Sequence, residues 1–366
     1  MKSSLTCGFI GLGLIGGSIA KALRKFHPDY RLIGYDIQSE STALAVKEGV
    51  LDIALSEINE TFSGCDYIFL CAPVSFNDEN LLKLKKFITP ECLLTDVGSV
   101  KTDIHKHIEE LGLGRQFIGG HPMTGSEKTG LLNSNAQLLE NAYYIITPTA
   151  RSDEQDIEDF KAFVSSLGSI ALVLGYEEHD HATAAISHLP HMIAYSLVNL
   201  IENIDSENET MKKIAAGGFR DVTRIAASSP EMWESICRSN RTQLLSLMDQ
   251  YEKAFSRLRH LVDVGDSDAL MKYFEDSKNY RDSLTLPGTK IRKDYHEIFV
   301  DLADEAGGIA MLASLLAFKG ISIKNIGIIN NREFDEGVLR IEFYDDKALE
   351  EAIDVLLERN YTIHRR

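Results

Sequence analysis

Thr6-Cys7-Gly8-Phe9-Ile10-Gly11-Leu12-Gly13-Leu14-Ile15-Gly16 begins as a short apolar run and passes through three spaced glycines into a helical pattern. A Gly-x-Gly-x-x-Gly turn is a weak signal alone and a strong one between a strand and a helix. Gly11 permits the tight turn, Gly13 lets a pyrophosphate approach the backbone, and Gly16 lets the helix pack close to the strand. Leu12, Leu14 and Ile15 complete the turn, and the N–H groups at the helix start favour phosphate. Asp36 follows the next apolar run, Arg31–Tyr35, twenty positions beyond Gly16. A carboxylate there can bond an adenosine ribose, and with Ile37-Gln38-Ser39 and no Arg following it favours NAD over NADP. The plainer alternative is a glycine-rich turn with an incidental acid.

Outward from this turn, strand and helix patterns alternate to about residue 175. Strands are expected at Thr6–Ile10, Arg31–Tyr35, Tyr67–Ala72, Cys92–Val97, Gln116–Gly119, Tyr143–Thr147 and Ile170–Leu174. The early members are continuous apolar runs, as expected of parallel strands covered on both faces, and predict an α/β Rossmann-like domain over 1–175. Ligands in such sheets sit beyond the carboxyl ends of the strands. Ala72-Pro73-Val74 and Ser99 are therefore expected at the cofactor, Ser99 toward its reactive end. The Ser99 hydroxyl could also cap a helix beginning near Lys101.

Strand signals stop between Glu177 and Asp276, predicting an all-α domain over 176–280. Ala182–Asn203 reads as one long apolar helix, and Ser229 with Pro230 can start a second. Along that second helix Leu244, Leu247, Met248, Tyr251, Ala254, Phe255, Leu258, Leu261 and Val262 form a stripe wide enough for both intrachain core and a dimer interface. Asp276–His296 lacks periodicity and reads as a linker, with 281–296 separating the domains. Residues 297–366 then follow a βαββαβ order, a small ferredoxin-like module.

The 366 residues carry 38 basic and 55 acidic side chains, a net charge of −17 without any basic cluster. That balance argues against nucleic-acid or acidic-membrane partners. No uninterrupted apolar run reaches the roughly 18 residues of a membrane span. The glycine-studded N-terminal stretch, followed by Lys21 and Arg24, makes a poor secretory signal. Five cysteines without a CxxC pair, four of them in or beside apolar runs, suit a reducing cytoplasm.

His121, in Gly119-Gly120-His121-Pro122-Met123, follows a predicted strand and is placed as a general base, or more blandly as a loop His bonded to a carbonyl. Ser126 and Glu127 are close enough in sequence to orient a substrate. His188 and His191 fall about one turn apart around Pro190. With His179 and His181 they invite a metal reading, but no standard ligand pattern fits, and His179 and His181 point apart on a helix, so no metal is expected. Arg220 and Arg224, beside Gly217 and Asp221, read as a carboxylate-binding fork, with Asp221 holding one guanidinium, or as a solvated, salt-bridged helix start.

Gly11–Gly16, Asp96–Lys101, Gly119–Glu127, Ser187–His191 and Gly217–Arg224 occur in an order and spacing that resembles the prephenate dehydrogenases, over nearly the first 280 residues. Residues 297–366 look like an ACT domain, with Ala306, Gly307, Gly308, Ile309 and Asn325 at its ligand-binding edges. The resemblance implies NAD-dependent oxidative decarboxylation of prephenate in tyrosine biosynthesis, by a homodimer whose ACT domain senses L-tyrosine. It makes His121 the base and Ser99 a bridge from His121 to the cofactor that holds the imidazole tautomer. Arg224, His191 and Arg220 would meet the substrate carboxylates, Arg220 as a gate. Three alternatives stay open: arogenate as substrate, a β-hydroxyacid dehydrogenase, whose GxxxK pattern is not found in place, and a non-catalytic regulator responding to NAD and an amino acid.

Overall fold

The computed structural model describes residues 4–125, 128–284, 296–302, 307–329, 337–359 and 361–364. The chain divides into two units, Met1–Gly288 and Thr289–Arg366. The first begins with five parallel strands in the order β3-β2-β1-β4-β5. These are β1 (Thr6–Ile10), β2 (Arg31–Tyr35), β3 (Ile53–Leu55), β4 (Tyr67–Leu70) and β5 (Leu93–Asp96). Four match the expected runs; β3, only three residues long, is too short to stand out by pattern.

Alternate side chains on these strands enter two cores, which is why the runs are apolar throughout. Cys7, Phe9, Leu32 and Phe69 face α1 (Leu14–Phe26) and α5 (Glu154–Ser166), where Phe160 and Phe163 meet them. Ile10, Ile33, Ile68, Leu70 and Leu94 face α3 (Val74–Leu84) and α4 (Thr102–Glu110). The short helix α2 (Ser39–Lys47) joins β2 to β3.

A further sheet, β6-β7-β8, departs from the all-parallel pattern: β6 (Ile118–Pro122) runs antiparallel to β7 (Tyr143–Pro148), which pairs in parallel with β8 (Ile170–Val173). A single bridge from Leu94 to Phe117 links it to the first sheet. His121 accordingly lies within a strand, paired with Ile145, and not in the loop after one. Its backbone is held on the ladder, so only its ring can turn.

The long apolar helix extends further back than Ala182. Tyr176–Ile204 is one 29-residue helix, long and apolar enough by length and composition to cross a membrane. It comprises α6 (Tyr176–Thr183), a π-helical turn (Ala184–His188) and α7 (Leu189–Ile204). On its inner face His179, Asp180, Thr183 and His188 are buried, and Asp180 bonds to the nucleotide-binding side. Two short helices follow, α8 (Thr210–Ile214) and α9 (Gly217–Thr223).

The second expected helix is in fact two, α10 (Pro230–Ser239) and α11 (Arg241–Val264), parted at Asn240. Ser229 does cap the first, its hydroxyl accepting from Met232 N–H at 3.3 Å. The break puts the buried Asn240 amide against the carbonyl of Asp180 at 2.8 Å. Of the apolar stripe only Leu244 is buried, and Phe255 and Val262 are 58% and 62% exposed. The segment from Asp276 is not a linker at its start, because α12 (Ser267–Ser283) continues through it.

The second unit has four antiparallel strands in the order β10-β11-β9-β12. They are β9 (Glu297–Leu302), β10 (Ile323–Ile329), β11 (Gly337–Phe343) and β12 (Ile363–His364), with α13 (Gly308–Phe318) and α14 (Asp346–Leu357) packed on them through Ile298, Val300, Leu312, Leu316, Ile341 and Leu356. Gly307, at φ +94°, turns the chain into α13; Ala306 lies outside the described residues. Gly308 is buried, Ile309 is 38% exposed, and Asn325 lies on the edge strand β10.

Candidate active site

The glycine turn is built as its spacing suggests. Gly11 sits at φ +95°, donates its N–H to Tyr35 O at 2.8 Å, and lies so close to β4 that a Cβ would stand 2.7 Å from Ala72 N. A Cβ on Gly16 would stand 2.6 Å from Gly11 O, whereas one on Gly13 would meet nothing within 4 Å. Two glycines thus serve the packing and the third leaves an open approach at the start of α1, where backbone N–H groups can meet phosphate. Leu12 contributes its backbone, not its buried side chain: its N–H reaches Asp36 Oδ2 at 2.6 Å. Gln38 N–H bonds the other oxygen at 2.8 Å, so the carboxylate is fixed at the end of β2. Leu14 and Ile15 are half-buried in the first turn of α1, Ile15 against the core. Ala72 O accepts from the Asn77 amide at 3.3 Å, and Pro73 precedes α3. The Val74 side chain is outside the described set.

At the carboxyl end of β5 the polar groups are dry. Lys101 Nζ, fully buried, bonds the Asp96 carboxylate and donates to Gly120 O at 2.7 Å. Asp96 also receives Gly98 N–H at 2.9 Å and Gly120 N–H at 3.2 Å. Both backbone polar groups of Gly120, the residue before His121, are therefore pinned. Desolvation pushes the Lys101 ammonium below its usual range, opposed by Asp96. Ser99 is half-buried and makes no hydrogen bond among the described residues. It does not cap α4. That work falls to Asp180, from the far side of the cleft, which accepts Lys101 N–H and Thr102 N–H, each at 2.8 Å, and the Thr102 hydroxyl at 2.6 Å.

His121 Nδ1 lies 2.8 Å from His179 Nε2, and His179 Nδ1 lies 2.8 Å from Asp180 Oδ1. Among the described residues the hydrogen-bond partner of His121 is His179, and Ser99 forms no hydrogen bond to it. Burial holds the His121 imidazole well below its ordinary pKa, with His179, Lys101 and His188 adding repulsion. Burial raises the Asp180 carboxyl, but the hydrogen bonds from His179, Thr102 and the two backbone N–H groups outweigh it and leave it lowered. His181 points away, to Gln243 Oε1 at 3.1 Å. Among the described residues no group of three or more His, Cys, Asp and Glu is placed to hold a metal ion.

The helical side supplies a second wall. His188 is buried, with Nδ1 3.3 Å from the Asn240 amide and no described partner at Nε2; burial brings its pKa down to about 4. His191 Nδ1 donates to Ser187 O at 2.8 Å, and its ring stacks on Trp233 with centroids 3.8 Å apart. Trp233 packs with Val100 and Ile236, tying the loop after β5 to α10. Burial lowers the His191 pKa, a bond to Ser187 raises it, and the charge of Arg224 lowers it again. Arg224 opens a tight turn, Arg224–Ala227, just beyond α9. Arg220, Asp221 and Gly217 are exposed on α9. Among the described residues Asp221 forms no ion pair with either arginine, so the expected brace is not there: on a seven-residue helix the side chains stand clear of one another. Ser126 and Glu127 lie outside the described residues.

Sequence reasoning weighed His179 only as a metal ligand and Lys101 only as a helix start, and gave Asp180, Trp233 and Asn240 no role. The adjacent His-Asp pair at a helix start was the readable signal, but only the fold shows what it meets.

A family model for the nucleotide-binding domain of prephenate dehydrogenase matches residues 19–173, and one for its dimerization domain matches residues 176–276. The chain is 38% identical over 356 residues to prephenate dehydrogenase of Bacillus subtilis, covering 95% of each protein. The chain belongs to the prephenate dehydrogenase family. It is thus an oxidoreductase with a Rossmann-like nucleotide-binding domain and a helical dimerization domain. Another member, from Lactococcus lactis, is 33% identical over 351 residues, covering 95% of this chain and 96% of that protein. Among solved structures, prephenate dehydrogenase from A. aeolicus in complex with hydroxyphenyl propionate and NAD+ is 33% identical, with a TM-score of 0.72 over 76% of this chain and 97% of that one. Synechocystis arogenate dehydrogenase is 30% identical, with a TM-score of 0.69 over 76% and 99%.

Proposed function

We propose that the chain converts prephenate and NAD+ into 4-hydroxyphenylpyruvate, CO2 and NADH. The observation that carries this reading is His121: a half-buried imidazole, fixed on a strand, bonded at Nδ1 to His179 and close to His188, on the helix whose His191 feels the charge of Arg224. Gly11–Gly16, Asp36, Ala72, Pro73, Val74 and Ser99 would hold the cofactor. Asp36, carboxylate fixed by two N–H groups, suits a free ribose hydroxyl and not a phosphate. Bound NAD+ supplies the acceptor for the hydride that leaves the ring carbon bearing the hydroxyl.

The chain's own part is proton transfer, charge neutralisation and exclusion of water. His121 takes the ring hydroxyl proton; loss of CO2 leaves its electron pair in the ring, which becomes aromatic, and the phenolate oxygen takes the proton back. A depressed pKa keeps His121 unprotonated at neutral pH, as a base requires. Arg224, His191 and Arg220 would meet the two carboxylates, with Ser126, Glu127, His188, Gly217 and Asp221 around them. Arginine suits this because its planar fork binds carboxylate in two places.

The dimer would form through the apolar faces of α11 and α12. The five cysteines are all free thiols, which suits a cytoplasmic protein. Residues 297–366 act as an ACT domain sensing L-tyrosine; the β10-β11-β9-β12 order, of ferredoxin-like type, and the edge strand β10 support this. The test is NADH formation with prephenate and, separately, arogenate, each with and without L-tyrosine. Prephenate turnover suppressed by tyrosine is expected. Turnover of arogenate alone moves the substrate, a reading the Synechocystis relative favours; no NADH from either removes the catalytic reading.

A further inference from the structure

We propose that His179 and Asp180 are positioning residues that fix the tautomer of His121, leaving its Nε2 as the bare lone pair that faces the substrate. The inference rests on the reading of His121 as the base, and its first test does not depend on turnover.

The proton positions follow along three linked groups, Asp180, His179 and His121. Asp180 is an acceptor at every contact: Lys101 N–H, Thr102 N–H, the Thr102 hydroxyl and His179 Nδ1 all converge on its two oxygens. An ionised carboxylate has no proton to donate, so His179 Nδ1 must carry one. A neutral His179 then keeps a lone pair on Nε2. The 2.8 Å contact to His121 is a hydrogen bond only if His121 Nδ1 holds the proton. His121 Nε2 is left unprotonated, ready to accept.

A doubly protonated His179 would reverse every assignment and turn His121 Nε2–H into a donor. Several features oppose that state. His179 is wholly buried, so a cation there would lose its hydration. Lys101 already places a positive charge beside His121, and His188 lies close on the helical side. The Asp180 charge is met by the N-terminus of α4, whose N–H groups carry the positive end of the helix dipole. Asp96, the other acid nearby, is taken up by Lys101 and two backbone N–H groups.

The same arrangement explains a feature of the fold. Asp180 caps α4 across 78 residues of sequence, although the nearby Ser99 hydroxyl could have done so locally. The long-range cap ties the carboxylate's orientation to the nucleotide-binding domain, and through His179 the ring of His121 as well.

Long-range 1H–15N correlation spectra of the full chain, with 15N-labelled histidine, read the tautomers directly. Signals are assigned with H121N and H179Q. His121 and His179 are both expected as neutral Nδ1–H tautomers at pH 7.5. A His121 signal of the Nε2–H form, or a doubly protonated His179, overturns the proposal even if prephenate turns over; absence of turnover leaves this readout intact and counts only against the catalytic reading. Kinetics give the second arm. H179L, which removes the acceptor, should lower kcat about 10²-fold with KM within twofold, the pattern of a wrong tautomer and not of weakened binding. H179Q, whose amide oxygen can accept from Nδ1–H, should recover at least a tenth of the wild-type kcat. Equal loss in both variants, or a loss carried by KM, marks His179 as structural only.

Discussion

The line from Asp96 to Asn240 and the face of α11 and α12 invert each other. In the first, charged and polar side chains are packed dry: Asp96, Lys101, His179, Asp180, His188 and Asn240 are all buried. In the second, apolar side chains stand in the open, with Phe255 at 58%, Met271 at 70% and Tyr280 at 71% exposure. A buried polar group costs stability unless it is bonded, and an exposed apolar patch costs solubility unless it is covered. Each region therefore has a purpose outside the chain's own folding. The dry line lies beside His121, and the open face is the surface proposed above to meet a second copy. Hydrogen bonds spanning 58 to 79 positions of chain tie the first region together, whereas the second leaves apolar side chains exposed in the single chain.

The largest expected effect tests the dry line through acid. His105 and His188 are held at about 4, against an ordinary 6.5, and His121 is also pushed down, in each case mainly by burial. The unfolded chain binds protons on these rings below pH 6.5 that the folded chain refuses. Stability therefore holds above about 6.5 and falls as pH drops toward 4, by up to about 1.4 kcal/mol per pH unit for each ring. Urea midpoints between pH 7.5 and 4.5 measure it; a flat profile would mean the rings are hydrated and the line is not dry. Next comes the chemistry. His121→Asn should lower kcat about 10²–10⁴-fold with the NAD dissociation constant kept, read by initial rates and by fluorescence titration. Unchanged kcat removes His121 from the reaction.

The two regions were not equally legible from sequence. The glycine turn and Asp36 are local patterns beside β1 and β2, and the strand, turn and helix they predict are there; His121, expected just after a strand, lies inside one. The stripe on α11 was legible as apolar, but not where that helix starts: Asn240, at the break before it, bonds Asp180 O, 60 positions away. His179 and Asp180 were hidden for the same reason, since their partners His121 and Thr102 are 58 and 78 positions distant. The spacing of His179 from His181 argues only against a shared metal, and nothing local shows that His179 faces another histidine. The antiparallel turn of β6 was missed because Gly119-Gly120 reads as a strand's end although the ladder continues to Pro122.

The open face is tested by charge. Phe255→Glu should weaken self-association about 10–100-fold, because a carboxylate would have to be buried in the interface or the two copies held apart. Light scattering across a dilution series reads it, with thermal stability of the dissociated chain near wild type. If the variant stays as associated as the parent, the covering surface lies elsewhere on the helical domain.

The smallest effect separates two glycines that the same motif contains. Gly16→Ala would place a methyl 2.6 Å from Gly11 O and 2.9 Å from Cys71 Cβ, so the α1–β4 packing must open, at about 1–3 kcal/mol of stability. Gly13→Ala meets nothing within 4 Å, and the residue already sits at φ −79°, which alanine adopts freely. Its melting temperature should stay within a degree or two, while NAD affinity falls about tenfold because the methyl occupies the approach to the N–H groups of α1. The two variants thus split one sequence motif into a packing glycine and a binding glycine. Were Gly13→Ala to bind NAD like the parent, the pyrophosphate would not cross the turn there, and the cofactor would have to lie further along the strand ends, toward Pro73 and Ser99.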